Sequence, residues 1–229
     1  MFQNLRKSKK LLLIAMTCAT FAIAGCGSDT TKTTGDNGTS VTWSETFDGT
    51  KTDFAVKSAP THAVSMSQAT TEMMLQLGLE DKMAGTAFKE EEIYPPLQAA
   101  YDKVKVLSDK WPSYEVFMSV KPDFATGWPD SFSKRAIPAD KMISQKVNIW
   151  IPESMLSTKA DLETNFSDMI KLGEIFGVKP KAEEWVSGQR KTLAAIQDKL
   201  KDLPRKRIFI YALKTVNHSQ HSRVILLTS

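Results

Sequence analysis

Few residues in this chain are arranged for covalent chemistry. It contains no Gly-x-Ser-x-Gly, no His-Glu-x-x-His, no phosphate loop and no cysteine–histidine pair. His62, His218 and His221 lack the spacing of a metal site. Glu90-Glu91-Glu92 reads as a solvated turn rather than a catalytic acid pair, so the chain reads as a non-enzyme. The stretch from Pro112 to Trp128 carries the strongest signal of a different kind, recognition. Ser113 is placed to cap a short helix with Val116, Phe117 and Val120 on one face. Lys121-Pro122 stops it, and a strand over Asp123 to Thr126 ends at Gly127. Trp128 then falls at the carboxyl end of that strand, where open parallel sheets form ligand crevices. Its ring reads either as core or as a crevice wall, and Pro129 and Asp130 beside it favour the exposed strand end. Glu115 falls in the helix's first turn, where the dipole favours a carboxylate, and is expected at the opposite end of the unit. On its own it is a solvated acid.

The elements that must position these residues follow a regular order. Val41 to Val56 suits an edge hairpin. Ala63 to Met66 reads as a buried strand, Ser67 as a cap, and Thr70 to Leu77 as a helix with Ala69, Met73 and Leu77 on one face, stopped by Gly78. Strands are expected at Lys82 to Phe88, Lys103 to Leu107 and Val147 to Ile151, with a helical segment near Phe132 to Met142. This alternation predicts an α/β fold, a parallel sheet with helices on both faces. Asp161 caps a further helix whose Leu162, Phe166, Met169, Gly173 and Phe176 form a stripe ended by Gly177. From Pro180, the residues Ala182, Val186, Gln189, Leu193, Ile196, Leu200 and Leu203 continue one stripe for roughly 23 residues, about 34 Å at helical rise. Such a rod either connects two lobes or packs along one. Arg207 to Leu213 resembles the first strand of another sheet, and the residues after it are too few and too polar to build a lobe around it.

Charge and cysteine usage place the chain. The formal net charge is +4, and Arg6, Lys7, Lys9 and Lys10 account for it, leaving the remainder neutral. Nothing favours nucleic acid. Those cations precede an apolar run, Leu11 to Ala24, too short to span a bilayer and suited to an export signal. Ile23-Ala24-Gly25-Cys26 resembles the lipobox of bacterial lipoproteins, which implies lipidation of Cys26; the alternative is an ordinary secretory signal cleaved near Ala24. Cys18 leaves with the signal, so no disulfide is expected. Gly27 to Ser40 lacks large apolar side chains and reads as a flexible tether.

Several motifs, in order, carry a family resemblance. Ala63-Val64-Ser65-Met66-Ser67-Gln68-Ala69-Thr70-Thr71-Glu72-Met73-Met74-Leu75-Gln76-Leu77-Gly78-Leu79 is similar to the opening strand, turn and Thr-Glu helix of the substrate-binding lipoproteins of bacterial ABC importers for ferric siderophores, haem and vitamin B12. Tyr114-Glu115 with Val120-Lys121-Pro122-Asp123-Phe124, and the two long helices, resemble further parts of that family over roughly Pro60 to Tyr211. The resemblance implies a clamp of two α/β lobes: a signal over 1–25, tether and hairpin over 26–58, a first lobe over 59–178, a connecting helix over 179–203, and a truncated remainder over 204–229. It implies an ABC permease with its ATPase as partners, Glu115 as a docking acid, and an extracytoplasmic, lipid-anchored protein. As half a clamp the chain is expected to expose apolar surface and to be aggregation-prone.

A siderophore complex needs aromatic walls with a few polar groups rather than protein ligands to the metal. Trp111, Trp128, Phe88 and Tyr94, with Ser67, Gln68 and Arg135, are the candidates. No cofactor or protein-bound metal is expected. A corrinoid or haem would use the same walls, and a lipid-anchored structural protein without a ligand is the remaining alternative.

Overall fold

The computed structural model describes residues 40–204. The signal segment, Cys26, the tether up to residue 39 and the strand expected at Arg207 to Leu213 lie outside the described residues.

The strands are very short and buried on both faces, side chains pointing alternately to either side, and their parallel pairing needs helical crossovers. Five strands form the sheet: β3 (Ala63–Ser65), β4 (Met83–Ala87), β5 (Val106–Ser108), β6 (Phe124–Thr126) and β7 (Asn148–Trp150). Their order is β5-β4-β3-β6-β7 and every pair is parallel. Among the described residues seven α-helices accompany them: α1 (Gln68–Gln76), α2 (Gln98–Tyr101), α3 (Tyr114–Ser119), α4 (Ala139–Ser144), α5 (Glu153–Leu156), α6 (Leu162–Ile175) and α7 (Lys179–Leu200). Ala63, Phe124 and Trp150 face a core shared with α1, α6 and α7, whereas Val64, Ala125 and Ile149 face one shared with α3 and α4. The α/β class with both sheet faces covered is therefore the observed one.

The hairpin of β1 (Val41–Phe47) and β2 (Thr50–Val56) forms a separate antiparallel pair. Asp48 and Gly49, both at positive φ, make its two-residue turn. The hairpin covers the β7 edge of the sheet with side chains. Trp43 Nε1 donates to the Ile149 carbonyl at 2.7 Å, and Glu45 Oε1 accepts from the Ile151 amide at 2.9 Å. In a parallel ladder alternate residues point their backbone groups away from the neighbour, so these two bonds satisfy the outward side of β7.

Several expected boundaries and faces differ. On α1 the buried residues are Thr70, Thr71, Met74 and Leu75, while Ala69 and Met73 are half-buried. The cause is a hydroxyl network that turns the two threonines inward. Thr71 Oγ1 lies 2.8 Å from Ser65 Oγ and 2.6 Å from Thr86 Oγ1. On α3 only Phe117 is buried, and Val116 is exposed. The strand expected from Lys103 begins only at Val106. Phe132 to Met142 is not one helix: a 3-10 turn, Pro129–Phe132, precedes α4, whose start is set by Pro138. The Asp161 cap and Thr164 form a reciprocal capping box on α6. On α7 the stripe is buried at Ala182 and Val186, half-buried at Leu193, and exposed at Ile196 and Leu200, where the helix ends; Leu203, expected on it, lies beyond and is exposed.

Candidate functional site

The strand order reverses direction of growth between β3 and β6, which makes their carboxyl ends the topological switch point. Met66 and Ser67 leave β3 there, and Gly127 and Trp128 leave β6. The two chain segments are held close: the Met66 amide donates to the Thr126 carbonyl at 2.7 Å. A Cβ at Gly127 would lie 2.9 Å from Ser131 Oγ and 3.1 Å from Met66 Cβ, so this approach requires glycine. The Met66 carbonyl is a hub at the switch point, accepting from Trp111 Nε1 at 3.1 Å and Ser131 Oγ at 3.3 Å.

Aromatic side chains gather beside it. Phe88 follows β4 and Trp111 follows β5, and their rings stack with centroids 4.6 Å apart at 20°. The Lys110 ammonium lies 5.4 Å from the Phe88 centroid. Phe88 has φ of 60°, a left-handed conformation that is uncommon for a bulky residue. Trp128 is half-buried, and its indole makes no hydrogen bond or ring contact among the described residues. That leaves one donor and one ring face at the switch point.

The other candidates divide by what already occupies them. Ser67 is fully buried and its side chain accepts from the Thr70 amide as the α1 cap, so its hydroxyl serves the helix start. Gln68 Oε1 accepts from the amides of Glu90 and Glu91, and Nε2 donates to Glu72 and the Glu92 carbonyl. Tyr94 is exposed. Arg135 is exposed and ion-paired with Asp130, a partner that short-range sequence pattern did not single out. Sequence reasoning also missed Lys110 and the Met66 carbonyl, the latter because backbone hubs leave no residue-type signal.

Glu115 is exposed. Its carboxyl is held below the usual range first by its own backbone N–H, then by the Ser113 hydroxyl and Lys141. The expected separation from Trp128 needs correction. Because α3 links two parallel strands it runs against them, so its first turn lies at the carboxyl end of the sheet. Trp111, just ahead of α3, confirms the placement by reaching Met66. Acid and ring therefore sit at the same end of the layer.

Thr126 Oγ1, buried at the end of β6, has no hydrogen-bond partner among the described residues. A shallow groove between α6 and α7, lined by Ile170, Lys179, Glu183, Val186 and Arg190, is a surface feature of the helical layer and not part of the switch point. No group of three or more potential metal ligands occurs among the described residues.

Comparison with known proteins identifies what this arrangement resembles. A family model described as periplasmic binding protein matches residues 64–218. The uncharacterized ABC transporter substrate-binding lipoprotein YvrC of Bacillus subtilis (strain 168) is 26% identical over 209 residues, 89% of this chain and 64% of the relative. The crystal structure of a periplasmic binding protein from Veillonella parvula dsm 2008 superposes with a TM-score of 0.76 at 95% identity, over 78% of this chain and 60% of that one. That of an ABC-type Fe3+-hydroxamate transport system from Saccharomonospora viridis DSM 43017 shares the fold, with a TM-score of 0.57 at 18% identity over 74% of this chain and 60% of that one. The chain thus spans less than two thirds of the length of these relatives.

Proposed function

Because this chain belongs to the periplasmic binding protein family, we propose that it is the lipid-anchored, extracytoplasmic substrate-binding component of an ABC importer, and that its ligand is a ferric siderophore complex. The observation that carries the ligand reading is the crevice at the switch point: a stacked Phe88–Trp111 wall, a cation beside it, and a Trp128 indole with an uncommitted N–H. A coordinatively saturated chelate asks for such surfaces rather than for protein ligands to its metal. The fold likeness to a hydroxamate transport system supports the same class. In this reading 59–178 is the ligand-binding lobe, 179–203 the rod leading from it, and Cys26 the lipid attachment.

Glu115 is the docking acid of the proposal. It lies at the crevice end of the layer, exposed and ionised, where a permease receiving the ligand would meet it. An exposed ion pair contributes little affinity but fixes orientation at docking.

Tryptophan emission reads the first part. A ferric trihydroxamate is expected to quench it saturably, and Trp128→Ala to weaken that response about tenfold or more. Response to cyanocobalamin or haemin alone moves the assignment to those ligands. Silence toward every chelate, haem and corrinoid leaves a lipid-anchored structural protein. For docking, Glu115→Lys is expected to abolish ligand uptake in cells while leaving the quenching curve unchanged.

A further inference from the structure

The ring of Phe88 is half-buried and stacks on Trp111. Phe88 occupies left-handed backbone, with φ of 60°, a conformation that surrounding contacts must impose on a phenylalanine. Its amide reaches the Ser108 carbonyl at 3.4 Å, a long bond and a weak restraint. The residues that follow, Lys89 to Glu92, are all exposed, and Ile93 is the first to enter the core. Between Phe88 and Ile93, therefore, no apolar side chain anchors the turn.

Gln68 does so instead. Its Oε1 accepts from the amides of Glu90 at 2.9 Å and Glu91 at 2.7 Å, and its Nε2 donates to the Glu92 carbonyl at 3.1 Å. A further Nε2 bond at 2.9 Å, to Glu72 Oε1, orients the amide, and the same oxygen accepts from the Tyr94 amide at 3.2 Å. Two side chains one helical turn apart on α1 thus gather four backbone groups of the loop from Glu90 to Tyr94. Both lone-pair directions of the Gln68 oxygen and both of its N–H groups are used. The loop is clamped immediately after the ring that stacks on Trp111.

We propose that Gln68 is a positioning residue for the binding surface: by clamping the 90–94 loop onto α1 it holds Phe88 against Trp111 in the ligand-free protein. The inference rests on the ligand reading above only for its effect on affinity. Its effect on the loop stands without any ligand.

Gln68→Leu keeps the bulk and removes all four bonds. Hydrogen exchange on the whole chain is expected to show the amides of Glu90 and Glu91 exchanging about tenfold faster or more, the change expected for losing two neutral hydrogen bonds. Near-ultraviolet circular dichroism from the stacked pair is expected to fall toward that of Phe88→Ala. Far-ultraviolet circular dichroism, unchanged, reports that the fold persists. With ferric trihydroxamate as the probe, Gln68→Leu should weaken quenching about tenfold, and adding it to Phe88→Ala should cost nothing further. Wild-type exchange at Glu90 and Glu91, an unaltered aromatic signal, or additive losses in the double variant would each overturn the proposal. If the wild type binds no chelate, the ligand reading falls, and exchange and dichroism still decide the role of Gln68. Should Gln68→Leu fail to fold, Gln68→Ala with Glu72→Gln, which keeps an acceptor for the Tyr94 amide, is read by the same exchange measurement.

Discussion

Glu45 shows how one residue on a strap reports its surroundings. It is buried, accepts from the Ile151 amide, and its carboxyl is pushed up to about 7, chiefly by desolvation and further by the carboxylates of Glu153 and Asp168. Since the folded protein then binds a proton more tightly than the unfolded chain, this residue's contribution to stability is complete below about pH 4.5. It is lost as the pH rises through 7. The loss is at most roughly 3 kcal/mol. Denaturant unfolding at pH 5 and pH 8 checks the sign, and Glu45→Gln, which keeps the acceptor for Ile151, should flatten the difference. Thr126 makes the opposite kind of test. Its hydroxyl is buried without a partner, so Thr126→Val should stabilise the protein by about 1 kcal/mol. A loss of stability on that change would instead place a buried water on the hydroxyl.

At the scale of elements, the decisive contact is between α6 and α7. The spacing of Gly173 within the α6 stripe put it on the core face, but only the structure explains why the residue is glycine. A Cβ there would lie 2.6 Å from Ala182 Cβ and 3.2 Å from Lys179 Cα. The helix that leaves the lobe is thus seated directly on α6 backbone, with an ion pair between Glu163 and Arg190 on its exposed side. Gly173→Ala should cost about 1–3 kcal/mol by forcing the helices apart. Thermal unfolding checks it, and a midpoint within a degree of the wild type would show that α7 shifts freely. The caps were legible beforehand, because Ser67, Ser113 and Asp161 act within three residues of sequence. The interrupted helix between Phe132 and Met142 was not, because Pro138 had to be weighed against an apolar run on both sides.

For the whole molecule, the hairpin is more than an appendage to the sheet. Trp43 stacks on Phe54 and packs edge-on to Phe124, and with Glu45 it closes the backbone edge of β7. Removing residues 40–56 should expose that edge and its aromatic cover, and sedimentation velocity should detect association that rises with concentration. A monomer of unchanged stability would show that the edge protects itself. The chain's own residues determined the alternation of strands and helices, the caps and the turn at the end of β6, because each depends on spacing within a few residues. They also carried the family resemblance. Tertiary structure alone decided which polar side chains near the switch point are already paired. Ser67 and Gln68 are polar candidates whose hydrogen bonds go to partners fixed by the fold, Arg135 makes only an exposed ion pair, and the half-buried Trp128 indole makes no hydrogen bond among the described residues. Availability is what remains after every nearby donor and acceptor has been paired, and that pairing is set by which strand lies beside which.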